Sequence, residues 1–254
     1  MSIAEPQNRY SVIKEKNPRE IVLLRGSGCR WRKCTFCDYH LDFSVDKEAN
    51  YALNSQALEK VTGCYGKLEV INSGSFCELD ERTVEKICET CVKNDIGELH
   101  VEFHWLYRSQ IPFYRACFAK KNVTLKVKMG VETFDAAYRE KRLKKGIDTK
   151  EPMEIAAYAD EICLLFGLGG QTKQSMQRDV LIGLRYFERV CINIMVENST
   201  AVKPDKAVIQ VFQEELYEVY ADDPRVDILM ENTDFGVGDR WERRGDKDGD
   251  YDAK

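Results

Sequence analysis

The sequence predicts an α/β fold, a closed or partly closed TIM-like barrel of parallel strands wrapped by helices. Seven short apolar runs alternate with six longer segments of helical character along the 254 residues, and such alternation builds parallel β-α units. Within two of the runs apolar and polar residues interleave. Leu99, Val101, Phe103 and Trp105 alternate with His100, Glu102 and His104, and Leu125, Val127, Met129 and Val131 with Lys126, Lys128, Gly130 and Glu132. A strand sends successive side chains to opposite faces, so the apolar set meets the helices and the polar set faces elsewhere. An open sheet between two helix layers would bury those charges under helices at high cost. A barrel interior accommodates them, either around a polar ligand or in a packed polar network.

Taken in order, strands are expected over 21–26, 67–72, 98–105, 124–130, 161–167, 190–196 and 226–230, each a short apolar or alternating run. The last is a short extra strand. The intervening segments 46–63, 80–95, 109–122, 133–146, 172–189 and 205–222 are each long and mixed enough for a helix with one apolar face. Residues 1–239 read as a single domain, and the charged 240–254 reads as a disordered tail.

A net charge of −5 counts against nucleic acid as the main partner, because phosphate binding is driven by Lys and Arg. No apolar run is long enough to span a bilayer, and the first twenty residues lack a signal-peptide core, so no membrane association and a cytoplasmic location are expected. The ten cysteines are then apolar fillers, metal ligands or reactive thiols rather than disulfides.

Three of them, Cys29, Cys34 and Cys37, fall within "GCRWRKCTFC" directly after the first strand, the end at which a parallel barrel builds its active site. Thiolates at C-x4-C-x2-C spacing suit zinc or an iron–sulfur cluster. Structural zinc normally takes four ligands. Cys88 and Cys91 of "CETC" could supply more, but with Val84, Ile87 and Val92 they keep the spacing of a buried helix face. Three ligands suffice where the metal centre keeps an open position. The loop itself is basic, with Arg30, Arg32 and Lys33. It is either a solvated loop or an attractor of an anionic cofactor, electron donor or cluster-delivery partner.

These residues resemble the cluster loop of the radical S-adenosylmethionine (SAM) enzymes, whose usual motif is C-x3-C-x2-C with an aromatic before the last cysteine, here Phe36. The first gap is one residue longer. "NSGSF" supplies Ser73, Gly74 and Ser75 where the superfamily has a Gly-Gly-Glu turn meeting the SAM amino group, without the Glu. "KMGVETF" is similar to the segment whose acidic residue, here Glu132, meets the SAM ribose, and "FGLGGQT" to one that passes the adenine, here at Gly167 and Leu168. The resemblance implies a partial (β/α)6-type barrel, a 4Fe-4S cluster on the three cysteines, and SAM bound to the open iron. Reductive cleavage of SAM then gives a 5′-deoxyadenosyl radical that attacks a substrate. It also implies a reductant such as flavodoxin or ferredoxin, and Lys128 is placed to meet the methionine carboxylate or to pair with Glu102 or Glu132.

The short chain has no second cysteine cluster and no RNA-binding appendage, so a small-molecule substrate is expected. In length and general look it is similar to the queuine lyases, which free 7-aminomethyl-7-deazaguanine (preQ1) from queuine by removing its cyclopentenediol. A deazapurine base offers adjacent N–H donors that a carboxylate can accept. Candidate substrate residues at strand ends are Glu102, His104, Glu197, Asn198, Glu231 and Asp234. Alternatives are another radical SAM reaction, such as glycyl-radical activation or nucleoside or tRNA modification, and a non-catalytic metal-binding or electron-transfer module. The last would normally give its cluster four protein ligands.

Overall fold

The computed structural model describes residues 9–231; Asp234 and the 240–254 tail lie outside them. All seven expected strands form, as β2 (Arg19–Leu24), β3 (Lys67–Asn72), β4 (Glu98–Glu102), β5 (Thr124–Glu132), β6 (Glu161–Phe166), β7 (Arg189–Ile194) and β8 (Val226–Leu229). They are mutually parallel and neighbour one another in chain order. A further strand, β1 (Tyr10–Ile13), adds antiparallel to the edge of β2. The sheet curls into a partial barrel, far enough that Arg19 of β2 reaches Asp227 of β8 at 3.6 Å.

Helices α1 (Lys47–Leu58), α2 (Glu81–Lys93), α3 (Ile111–Ala119), α6 (Lys173–Tyr186) and α7 (Lys206–Glu215) cover the outside, with α8 (Tyr217–Tyr220) after the last of them. Asp46, Asp80, Thr172 and Asp205 cap the N-termini of α1, α2, α6 and α7 by accepting backbone N–H groups. The outward strand residues, among them Val70, Leu99, Val101, Val127 and Ile192, form one core with the helices. Cys91 is buried in that core and Cys88 packs against it, which accounts for "CETC" as packing.

The segment 133–146 departs from its helical expectation. Only Ala136–Tyr138 (α4) is α-helical, followed by a π-turn over Arg139–Leu143. The buried Arg139 guanidinium is the reason: it donates to the carbonyls of Thr133, Ile147 and Thr149, so the chain wraps around it. A short helix, α5 (Pro152–Ala156), precedes β6.

The polar inward residues divide into two levels. At the floor, Glu69 pairs with Arg19 and Lys128, His100 with Glu98 and Glu161, and Arg189 with Asp227 at 2.7 Å. This is the packed polar network. Above it the barrel opens into a cavity, so the alternating pattern serves both purposes. Lys126 lies near the bottom edge and pairs with Glu188 at 2.7 Å.

Candidate active site

A cavity of about 450 Å³ occupies the upper half of the barrel, lined by Cys29, Cys34 and Cys37 on one side and by Glu102, Asn193 and Leu229 deeper in. The three cysteines lie on an irregular loop following β2. Burial pushes the Cys34 and Cys37 thiols up to about 11, opposed by the nearby Lys145 ammonium, and each thiol also feels Cys29. They therefore share one pocket. Among the described residues no three His, Cys, Asp or Glu side chains are grouped to hold a single metal ion.

Within the four-residue first gap Arg32 takes a left-handed φ of 46°. Trp31, inside the gap, fastens it. Its indole N–H donates to the Lys144 carbonyl at 2.8 Å, and its ring stacks on His104 with centroids 5.2 Å apart. Gly146 makes this possible: a Cβ there would lie 2.2 Å from the indole, and its φ is 76°. Thr35 binds the Arg142 and Leu143 carbonyls, and Asn198 Nδ2 donates to the Phe36 carbonyl at 2.7 Å.

At the end of β3 the chain turns tightly against this loop. A Cβ on Gly74 would sit 2.5 Å from Glu78 and 3.4 Å from the Cys29 Cα. Glu78 stands three residues beyond the expected carboxylate position. It accepts the backbone N–H groups of Ser75 and Arg30, both at 2.7 Å, and the Tyr107 hydroxyl at 2.8 Å. Ser75 is consequently structural, its Oγ accepting the His104 N–H at 2.8 Å. The buried Asn72 Oδ1 and Ser73 Oγ, by contrast, have no hydrogen-bond partner. Both residues line the cavity. Buried acceptors without donors are costly, and these two fit an ammonium group such as the SAM amino group. Asn72, the first residue of "NSGSF" and not among those expected from the sequence, is thus a candidate site residue beside Ser73 and Gly74.

On β5 a bulge between Gly130 and Glu132 shifts the register against β6. Glu132 there adopts a φ of 68°, strained for a residue with a Cβ, and lines the cavity beside the cysteines. Lys145 meets it at 2.7 Å. Burial alone would lower the Lys145 pKa, but Glu132 and the thiols of Cys34 and Cys37 raise it, so the ammonium persists. Lys145 is thus a cation beside the cysteines. Lys128, expected to meet the methionine carboxylate or to pair with Glu102 or Glu132, lines the cavity deeper in and pairs with Glu69 instead of either glutamate. Lys145 escaped notice because "RLKKG" looks like an ordinary charged surface turn.

Glu102 faces the cavity one layer above the floor. Burial raises its carboxyl to about 7, partly offset by Lys128, and no hydrogen bond contributes. His104 also lines the cavity, but both ring nitrogens are engaged: Nδ1 accepts the Leu106 N–H at 3.1 Å and Nε2 faces the Lys145 carbonyl at 2.8 Å. A carbonyl can only accept, so the proton is on Nε2. Burial and Lys145 lower its pKa to about 4, leaving it neutral. His104 therefore positions Trp31 and Lys145 and has no ring nitrogen left for a substrate.

Glu197 and Asn198 stand at the cavity rim. Glu197 pairs with Lys203 at 2.7 Å, and Asn198 is spent on Phe36 and Thr200. Glu231 is exposed and is not among the lining residues. Gly167 and Leu168 do not line the cavity either; Leu168 packs behind it with Leu143, Leu165, Met195 and Phe36.

A curled parallel sheet with a three-thiol loop after its first parallel strand, opening onto a polar cavity, is the arrangement of a radical SAM enzyme. No protein-family profile matches the sequence, and no curated protein matches it. Solved structures do, among them the queuine lyase from Clostridium spiroforme bound to SAM and queuine. It matches with a TM-score of 0.86 and 43% sequence identity, over 91% of this chain and 99% of that one. The chain belongs to the queuine lyase family.

Proposed function

We propose that this protein is a radical SAM lyase that releases 7-aminomethyl-7-deazaguanine from queuine in the reducing cytoplasm. The observation that carries the proposal is the likeness, at 43% identity, to a structure described as bound to SAM and queuine. In this reading Cys29, Cys34 and Cys37 hold a 4Fe-4S cluster. When bound, cluster and SAM supply the one-electron cleavage chemistry that attacks the substrate. The remaining work falls to the protein. Asn72 and Ser73 accept from the SAM amino group, and Gly74 lets the backbone approach. Lys145 meets the methionine carboxylate as a charge-assisted partner, with Glu132 orienting it and available to the ribose, while Phe36 walls the pocket.

Glu102 is the free carboxyl of the inner cavity and is assigned to the donor edge of the base. Asn193 of β7 also lines the cavity and is assigned to the diol as an uncharged polar partner. The reductant is a one-electron carrier such as flavodoxin or ferredoxin.

Anaerobically reconstituted protein, given SAM, reductant and queuine, is expected to yield the aminomethyl deazaguanine together with 5′-deoxyadenosine. Cys34→Ala should lose both the iron and the products. Formation of 5′-deoxyadenosine without the base product would remove queuine as the substrate and leave the radical SAM assignment standing.

A further inference from the structure

We propose that the outer rim of the cluster loop, together with residues 141–144, is the docking surface for an acidic one-electron carrier protein. The inference rests on the reading above, in which the loop holds a cluster that must be reduced from outside.

Residues 30–33 (RWRK) and 141–144 (KRLK) carry six cations and no anion in a chain whose net charge is −5. The fold holds the two segments side by side, through Trp31 Nε1 to the Lys144 carbonyl at 2.8 Å and Thr35 N–H to the Leu143 carbonyl at 3.1 Å. All six cationic residues, Arg30, Arg32, Lys33, Lys141, Arg142 and Lys144, are exposed. None of them makes an ion pair among the described residues. Three rest on aromatic rings instead, Arg32 over Phe43, Lys33 over Trp31 and Arg142 over Tyr138, which supports the stems and leaves the charge uncancelled.

The neighbouring carboxylates are already committed. Glu140 takes Arg139 and the N–H groups of Gly146 and Ile147, and Glu78 takes the three donors described above. Past Arg142 lies an open groove lined by Gly169, Lys203, Asp205 and Lys206, in which the Asp205 carboxylate is engaged as the cap of α7.

A basic island on an otherwise acidic molecule orients an acidic protein before contact: the island attracts it and the rest of the surface repels it. Because the island is built on the loop that carries the thiols, a partner seated there is brought against the cluster. A long polyanion such as RNA would extend beyond the island onto the acidic surroundings, which disfavours it.

Flavodoxin is the probe. The Lys33→Glu/Lys141→Glu/Lys144→Glu variant should bind it at least about tenfold more weakly at low salt, measured with cluster-free protein and labelled flavodoxin. In reconstituted enzyme the flavodoxin-supported rate of 5′-deoxyadenosine formation should fall in parallel, with the dithionite-supported rate unchanged. Lys120→Glu/Lys121→Glu, at the far end of the barrel, should change neither. For the unmodified protein, flavodoxin binding should weaken steadily as salt is added.

Unchanged flavodoxin binding by the triple variant, salt-independent binding by the unmodified protein, or binding of an RNA but not of flavodoxin would each overturn the docking surface. Absence of SAM cleavage with dithionite would instead sink the enzyme reading, while the cluster-free binding measurement would still decide the surface.

Discussion

Glu102 changes charge near neutral pH because burial has lifted its carboxyl to about 7. An acid whose folded-state pKa exceeds its unfolded value keeps its proton longer when folded. Its contribution to stability is complete below the ordinary carboxylate range and is lost as pH rises through about 7. Glu102→Gln, which cannot ionise, should therefore be more stable than the unmodified protein at pH 8, by about 1–3 kcal/mol, and nearly equal to it at pH 4. Urea unfolding at the two pH values checks this; parallel behaviour of the two proteins would mean that the carboxyl is not desolvated. The variant's queuine affinity should at the same time lose its dependence on pH. The inward placement of Glu102 was legible because strand alternation alone places 100, 102 and 104 on one face. That His104 would spend both nitrogens internally was not, since its partners come from Leu106 and from Lys145, 41 residues away.

Among the elements, strands were read well and the 133–146 segment was not. Strand patterns are local, whereas this segment's path is set by a single buried guanidinium and by the indole that locks onto its far end. The short edge strand β1 and the five-residue α5 carry too little periodicity to stand out. The connection between the cluster loop and 139–146 has one sharp vulnerability at Gly146. Gly146→Ala would force a side chain into the Trp31 ring at a backbone angle that favours glycine. A loss of about 2–4 kcal/mol is expected from overpacking and strain combined. Thermal unfolding should report the loss, and tryptophan fluorescence should report Trp31 leaving its stack. An unchanged melting temperature would show that the loop is not fastened at this point.

For the whole molecule, the barrel floor is an ionic layer in which Arg19, Lys128, His100 and Arg189 answer Glu69, Glu161 and Asp227. Glu69 faces two cations and its carboxyl is held far below the ordinary range: burial opposes ionisation, but Arg19 and Lys128 overcome it. Removing one member of such a layer leaves its partners buried and uncompensated. Glu69→Gln should destabilise the fold by about 3–5 kcal/mol, measurable by urea unfolding at pH 7. A double change of Glu69 and Lys128 to apolar residues of similar size should recover part of that loss. The sequence showed which residues face inward, yet not which of them pair, because pairing depends on how far the sheet curls.

The ties that fasten the thiol loop are made entirely by side chains and backbone of the protein itself: Trp31 to Lys144, Thr35 to 142–143, Arg30 to Glu78 and Asn198 to Phe36. The loop is thus a keystone on which residues 78, 142–144 and 198, far apart in the chain, converge. A change at any one of these stretches therefore reaches the three thiols, and the loop's shape is a property of the whole upper rim rather than of its own ten residues.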